Sequence, residues 1–538
     1  MWEVSKRMKK LLVLLVSLIS QASWSQDGWV RRGNCMPDVE ATANGTVQRV
    51  AAQRRLPTIN MDWDSTRVYR QLVILVSFSD TDFSMENPLE TYRLIFNEHG
   101  YNQSMGAGCV ADYFKSQSGG LFNMQFDVYG PYQVSSKAQP YDNPNADTKN
   151  YGTAVLREAT QMFLAEHADV DFSPYDWNGD MAIEQVIYVY AGYTGNQSST
   201  KSYGHIWPNT TSFSTLTTNS GHKISNYSAS AELWVNGRSC GIGTICHEFS
   251  HSLGLPDIYP TGSSSWTYSV VDEWDLMDGG NFTNYGWCPP NYTALERYLM
   301  GWLDYEELTQ PTTVTDLKPI SEGGKAYVVM HTDNEYLLLE NRQWIGWDAG
   351  LPSKGLVAYH VNYVPSRWLG NTPNNVSNKP NFSLMDPSMM SYEDWVDYLL
   401  QQGVTTQSAV YQNSTYRLNS MIMSRGAYPD NWDGVTIIDS LTNTSPAATE
   451  MYNQNYEGSL LLSKPITHIK VSDDGLVSFD FMGGGTPTGI DMVKTKSENN
   501  GTAVFDLNGR RMRHDVAGQK GIRLVRLADG TVRKLFFK

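Results

Sequence analysis

Apolar and polar positions fall into two regimes that change near residue 305. Before it, apolar runs alternate with stretches of helical period. QLVILVSFSD (71–80) is a β-branched apolar run of the kind buried on both faces of a sheet. Residues 88–98 and 109–116 predict helices, and LFNMQFDVYG (121–130) alternates as a strand. In YGTAVLREATQMFLAEHA (151–168), Leu156, Ala159, Phe163 and His167 recur at spacings of 3–4, which predicts an amphipathic helix. EQVIYVYAG (184–192) reads as a second buried strand, and 222–234 alternates weakly, as an edge strand does. Helices over 240–253 and 291–303 complete this part, so the expected fold is an α+β domain spanning 68–305.

After 305 the runs are short and split by Gly, Pro and Asn. AYVVMHT, EYLLLENRQ and GLVAYHVNY predict strands, residues 366–392 a loop, and SYEDWVDYLLQQG (391–403) a short helix. KPITHIKVSDDGLVSFDF (464–481) predicts a strand pair about an Asp-Gly turn. Residues 306–482 are thus expected to form a β-rich accessory domain. GGGTPTG (483–489) is a linker by composition, and 483–538 as a whole reads as a linker plus a small all-β module.

The first residues change the compartment. Lys9 and Lys10 precede a short apolar core, Leu11–Ile19, and then small residues at Ala22, Ser23 and Ser25. That pattern predicts a signal peptide over 1–25 and an extracytoplasmic protein, with 26–67 as a pro-segment or linker. No other stretch reaches the ~20 apolar residues of a membrane helix. A net charge of −15 argues against a nucleic-acid partner, since phosphate binding needs clustered Lys and Arg. The five cysteines (Cys35, Cys109, Cys240, Cys246, Cys288) are an odd number, and their spacing fixes no pairing.

The chemistry concentrates in CHEFSHSLGLPD (246–257). On a helix, Ile242, Ile245, Phe249 and Leu253 supply an apolar face. His247 and His251, one turn apart, project together and can bind one metal ion. Glu248 is placed to take a proton from a water at that ion and pass it to a leaving amine. Catalytic zinc usually takes three protein ligands. Gly254 suits the left-handed residue that ends a helix, and Pro256 prevents continuation, so the chain can turn back and bring Asp257 to the metal. Further on, EWDLMDGGNF (273–282) puts Met277 in a Gly-rich turn.

HExxHxxGxxD followed by WDLM-x-GG resembles a metzincin zinc peptidase with its Met-turn. HEFSHSLGLPD, WDLMDGG and YLMGWL more closely resemble the M6, immune inhibitor A-like, family of secreted bacterial metallopeptidases, over roughly 68–482. The resemblance implies a metzincin-like catalytic domain, Zn²⁺ held by His247 and His251, Glu248 as general base, and Met277 as the floor beneath the metal. Asp257 stands where most metzincins have His, and Asp272, Glu273 and Asp275 are rival third ligands. The terminal DLNGRR…KLFFK resembles modules of secreted Bacteroidetes proteins, which implies contact with secretion or sorting machinery.

Weaker signals have bland readings beside them. Asp176, Asn178, Asp180 and Glu184 hold positions 1, 3, 5 and 9 of a partial Ca²⁺ loop, but the Gly at 6 and Glu at 12 are missing, and an Asn-Gly turn is favoured. Cys35, in RRGNCMPD, faintly echoes a latency switch in which a thiolate occupies the metal, giving a zymogen; a stray linker cysteine is the simpler reading. His205, His222 and His360 are more simply structural, and Cys246 a small buried residue. Residues 222–234 are positioned to pair with an extended substrate as an edge strand. The leading reading is a secreted zinc endopeptidase acting on proteins or peptides. Its rivals are a surface adhesin using its β domains and an amidase acting on peptidoglycan peptides.

Overall fold

The computed structural model describes residues 63–485 apart from 103–105, 141–148, 198–200, 202–203, 262–270, 377–378, 386–438 and 446–448, together with three strands at 503–505, 521–526 and 532–537. The signal-like segment, Cys35 and the helix expected over 391–403 lie outside the described residues.

β1 (Val68–Ser77) is buried along nearly its whole length because it pairs in parallel on both sides, with β2 (Asn123–Gln133) and with β3 (Val186–Tyr193). A parallel strand covered on both faces reads as a continuous apolar run, which is what 71–78 supplies. Helices α1 (Pro88–Asn97) and α2 (Val110–Gln117) connect β1 to β2, and α3 (Lys149–Glu166) lies between β2 and β3. The sheet continues with β4 (Asn209–Thr217) and β5 (Lys223–Leu233), in the order β2-β1-β3-β5-β4. β5 is parallel to β3, and β4 runs antiparallel to β5.

This order corrects the reading of 222–234 as an edge strand. β5 is interior, and β4 covers the side on which a substrate backbone was expected to pair. The alternation of 222–234 looked weak because the strand is buried from Tyr227 to Glu232. β4, the true edge, is Thr/Ser-rich and mostly part-exposed, and gives almost no apolar signal.

Helix α4 (Gly243–Leu253) packs on this sheet through Phe249, whose ring meets those of Phe114 (4.9 Å), Phe122 and Phe126. Tyr129, three residues beyond Phe126 and so on the other face of the strand, packs against Phe163 of α3. The sheet is thereby covered on both sides. Helix α5 (Ala294–Leu299) is shorter than the 291–303 expected; a capping box of Thr293 and Glu296 starts it.

The β-rich part begins with β6 (Tyr305–Glu307) and β7 (Thr312–Leu317), followed by β8 (Ala326–Met330), β9 (Glu335–Arg342) and β10 (Gly355–Asn362). A short helix, α6 (Pro365–Leu369), leads to β11 (Phe382–Leu384). The second sheet has the order β11-β10-β9-β8-β6. β12 (Ile466–Val471) and β13 (Val477–Phe481) form the expected hairpin, and β7 joins them in a three-stranded sheet. The main hydrophobic core runs without interruption from β1 into Val357, Tyr359, Val361 and Phe382, so the second sheet shares the interior of the first. A smaller cluster lies between the second and third sheets. The described residues up to 485 form one compact unit, and those after it a second, in which β14 (Ala503–Phe505), β15 (Gly521–Arg526) and β16 (Val532–Phe537) make an antiparallel sheet.

Candidate metal centre

On α4, residues two apart lie roughly 200° round the helix, so burying Phe249 in the core turns His247 and His251 to the opposite side. Gly254 ends the helix with φ 109° and ψ 0°, its N–H bonding the His251 carbonyl. The next carbonyl, Leu255 O, accepts from His251 Nδ1 at 2.8 Å. The chain then returns past Pro256, and Asp257 is buried beside the pair.

The Gly-rich turn at 275–280 fixes the other imidazole. Leu276 O accepts from His247 Nδ1 at 2.9 Å, and the next carbonyl, Met277 O, accepts from Ile258 N–H at 2.8 Å. Met277 N–H in turn donates to Asp275 Oδ1 at 2.6 Å. One buried turn thus holds both a ring of the pair and the strand of chain that carries Asp257. A side chain at Gly280 would stand 2.5 Å from the Asp275 carbonyl oxygen, so the turn requires glycine there.

The result is a convergence of three atoms. Asp257 Oδ1 lies 3.2 Å from His247 Nε2 and 3.0 Å from His251 Nε2. Because carbonyl oxygens only accept, both Nδ1 atoms carry protons, and each neutral ring turns a lone pair inward from Nε2. Two nitrogen lone pairs and a carboxylate oxygen, all buried, form a natural cation pocket, and this donor set fits a metal ion.

Asp272, Glu273 and Asp275 are not part of that ligand group. Glu248 is buried next to His247, and its Oε2 lies 2.8 Å from the Thr210 hydroxyl, which also stands 2.6 Å from the Glu248 carbonyl. Thr210 is on the edge strand β4, and Asn371, 114 residues beyond Asp257, hydrogen-bonds that aspartate twice. Neither was foreseen from sequence, since an isolated Thr or Asn in a polar stretch carries no pattern.

The other candidates are occupied with structure. Asp176 Oδ1 accepts from the N–H groups of Gly179 and Asp180, Asn178 from Asp180, and Asp180 from Ala182. Glu184 accepts from Trp177 N–H. These oxygens are turned onto the loop's own amides, as in an Asx-type turn. His222 bonds Ser220, and His360 bonds Glu335 at 2.8 Å. Burial pushes His205 down to about 4, so it is neutral at pH 7. In a second group, His99, Cys109 and Asp112, the last two form the capping box of α2, and Asp112 also bonds His99 Nδ1 and receives Gly100 N–H. The four described cysteines are buried free thiols; burial pushes Cys109 and Cys288 up to about 12.

Below the turn, Arg342 is fully buried and binds Asp348 through two nitrogens (2.8 and 2.6 Å), Glu340 at 3.0 Å and the Asn291 carbonyl. Nearby, burial pushes the Glu296 carboxyl up to about 7, against the hydrogen bonds from Thr293 and the charge of Arg342. A raised carboxyl favours the fold when protonated. Its contribution is full below the unfolded value of 4.5 and is lost as pH rises through about 7. The wild-type urea midpoint is therefore expected to fall relative to Glu296→Gln between pH 5 and 7.5. Parallel profiles for the two proteins would exclude titration of Glu296 in that window.

A histidine pair one turn apart, a glutamate between them, an aspartate past a glycine bend and a Gly-rich turn that fixes one of the rings, set on a mixed α/β fold, resemble the arrangement of a metallopeptidase site. Residues 63–296 match the family described as Immune inhibitor A peptidase M6, catalytic domain. Among curated proteins the chain is similar to the Pre-pro-metalloprotease PrtV of two Vibrio cholerae serotype O1 strains, M66-2 and ATCC 39315 / El Tor Inaba N16961. In each case it is 23% identical over 282 residues, which is 46% of this chain and 30% of the relative. The chain thus covers less than a third of the length of these relatives.

Proposed function

We propose that the protein is a secreted zinc endopeptidase that cleaves proteins or peptides, with His247, His251 and Asp257 as ligands and Glu248 as general base. The carrying observation is the convergence of two Nε2 lone pairs and one carboxylate oxygen, with both rings held by backbone carbonyls. Zinc bound there would supply Lewis-acid activation of a water and polarisation of the scissile carbonyl. Glu248 accepts the proton as the water's oxygen attacks the carbonyl carbon, then delivers it to the amine nitrogen as the C–N bond breaks. The Thr210 hydroxyl holds the Glu248 carboxylate in place for both transfers. Met277 supports the floor and takes no part in the chemistry.

Secretion is supported by the signal-like N-terminus, and the three-stranded C-terminal unit is read as the sorting module. No helix among the described residues is long and apolar enough to cross a membrane.

Zymography on casein with and without a chelator separates the readings. Clearing should appear, vanish with chelator and return on adding zinc. Clearing that persists in chelator rejects the metal assignment, and no clearing, with peptidoglycan peptides cleaved instead, favours the amidase.

A further inference from the structure

We propose that Asn371, far outside the segment matched to the peptidase family, is the positioning residue that aims Asp257 at the metal; this rests on the reading that His247, His251 and Asp257 bind one. The amide of Asn371 grips Asp257 at two points. Its Nδ2 donates to Asp257 Oδ2 at 2.6 Å, and its Oδ1 accepts from the Asp257 backbone N–H at 2.7 Å. With Oδ2 taken, Oδ1 is the oxygen left to face His247 and His251.

The chemistry of the clamp selects asparagine. One end must donate to a carboxylate and the other must accept from an amide, and a carboxamide offers both across one rigid plane. Asn371 also sits at φ 57°, a left-handed conformation that Asn tolerates better than most residues. It is buried, so without its N–H the second oxygen of Asp257 would keep its charge out of water with no donor from this residue.

The surrounding contacts fasten the two loops together. The Asn371 carbonyl accepts from Thr261 Oγ1 at 2.8 Å, and Asn375 Oδ1 accepts from Thr261 N–H at 2.7 Å. Asn374 Nδ2 donates to Ile258 O and to Phe382 O, both at 2.8 Å, which ties the loop to β11. The β-rich part therefore completes the metal site: its loop after α6 holds the third ligand, while the segment matched to the family ends at residue 296.

The test uses the full-length protein stripped of metal, with Zn²⁺ affinity read by competition against a chromophoric chelator. N371G keeps the left-handed backbone without strain and removes the clamp; N371D keeps shape and acceptor but loses the donor, and carries the test should N371G fail to fold. Both are expected to bind zinc about 10- to 100-fold more weakly, the range for loss of a partner behind a metal ligand. Peptidase activity should return in excess zinc, because Glu248 and both histidines are untouched. Wild-type affinity in either variant overturns the proposal, as does activity that excess zinc does not restore. H247A is the control for the underlying reading. If it binds zinc as well as wild type, the metal assignment itself falls; if it loses zinc while the Asn371 variants keep theirs, only the clamp falls.

Discussion

Glu248→Gln is expected to stop peptide-bond cleavage while leaving zinc bound. Glutamine keeps the size of the side chain and an oxygen that can accept from Thr210, but it cannot take up a proton near neutral pH. Loss of a positioned general base typically lowers the rate by about 10²–10⁴-fold. The fall should appear in kcat on a quenched fluorescent peptide, with metal content by mass spectrometry unchanged. The candidate ligands His247, His251 and Asp257 are bonded by Leu276, Leu255 and Asn371 respectively, none of which the substitution touches. Substantial residual turnover would remove Glu248 from its role. Loss of zinc in the variant would show that the carboxylate also helps hold the metal.

The second large effect is on folding. Arg342→Met is expected to destabilise the protein by about 3–5 kcal/mol, the usual cost of breaking a buried ion pair from one side. Asp348 and Glu340 are both fully buried, and each loses its guanidinium partner. The measurement is the urea midpoint at pH 8. Adding Asp348→Asn should recover part of the loss, because one uncompensated charge is then gone. A midpoint unmoved by Arg342→Met would show that the fold does not depend on pairing these carboxyls with the arginine.

Much of the centre could be read from sequence because helix periodicity alone places His247, Glu248 and His251, and because Gly254 marks where the helix must stop. The strands β1, β3, β8 and β10 were legible for a similar reason, since a strand buried on both faces is largely apolar; β9 was legible from its Tyr336–Leu339 run, although the buried Glu335, Glu340, Asn341 and Arg342 flank that run. What escaped depends on long-range pairing. β5 looked like an edge because its small residues, Ser228 to Ala231, carry little apolar contrast, while the strand that covers it is written in Thr and Ser. Thr210 and Asn371 act through hydrogen bonds that span 38 and 114 residues. Nothing in their own neighbourhoods distinguishes them from other loop and edge residues. The shared interior of the first two sheets was hidden likewise, since composition changes at 305 but the core does not.

The separation of 114 residues between Asp257 and its amide partner also sets an order of events during synthesis. At 5–20 residues per second, the ribosome needs roughly 6–23 s after making Asp257 before Asn371 exists. Before Asn371 is made, the histidine helix, Glu248 and the turn at Met277 already exist, while Asp257 still lacks the amide that bonds its second oxygen. On the proposed reading, the nascent chain thus passes through a stage in which the candidate ligands are present but would hold metal weakly. Tight binding would wait for a late loop, and a chain cut short before that loop would lack the clamp.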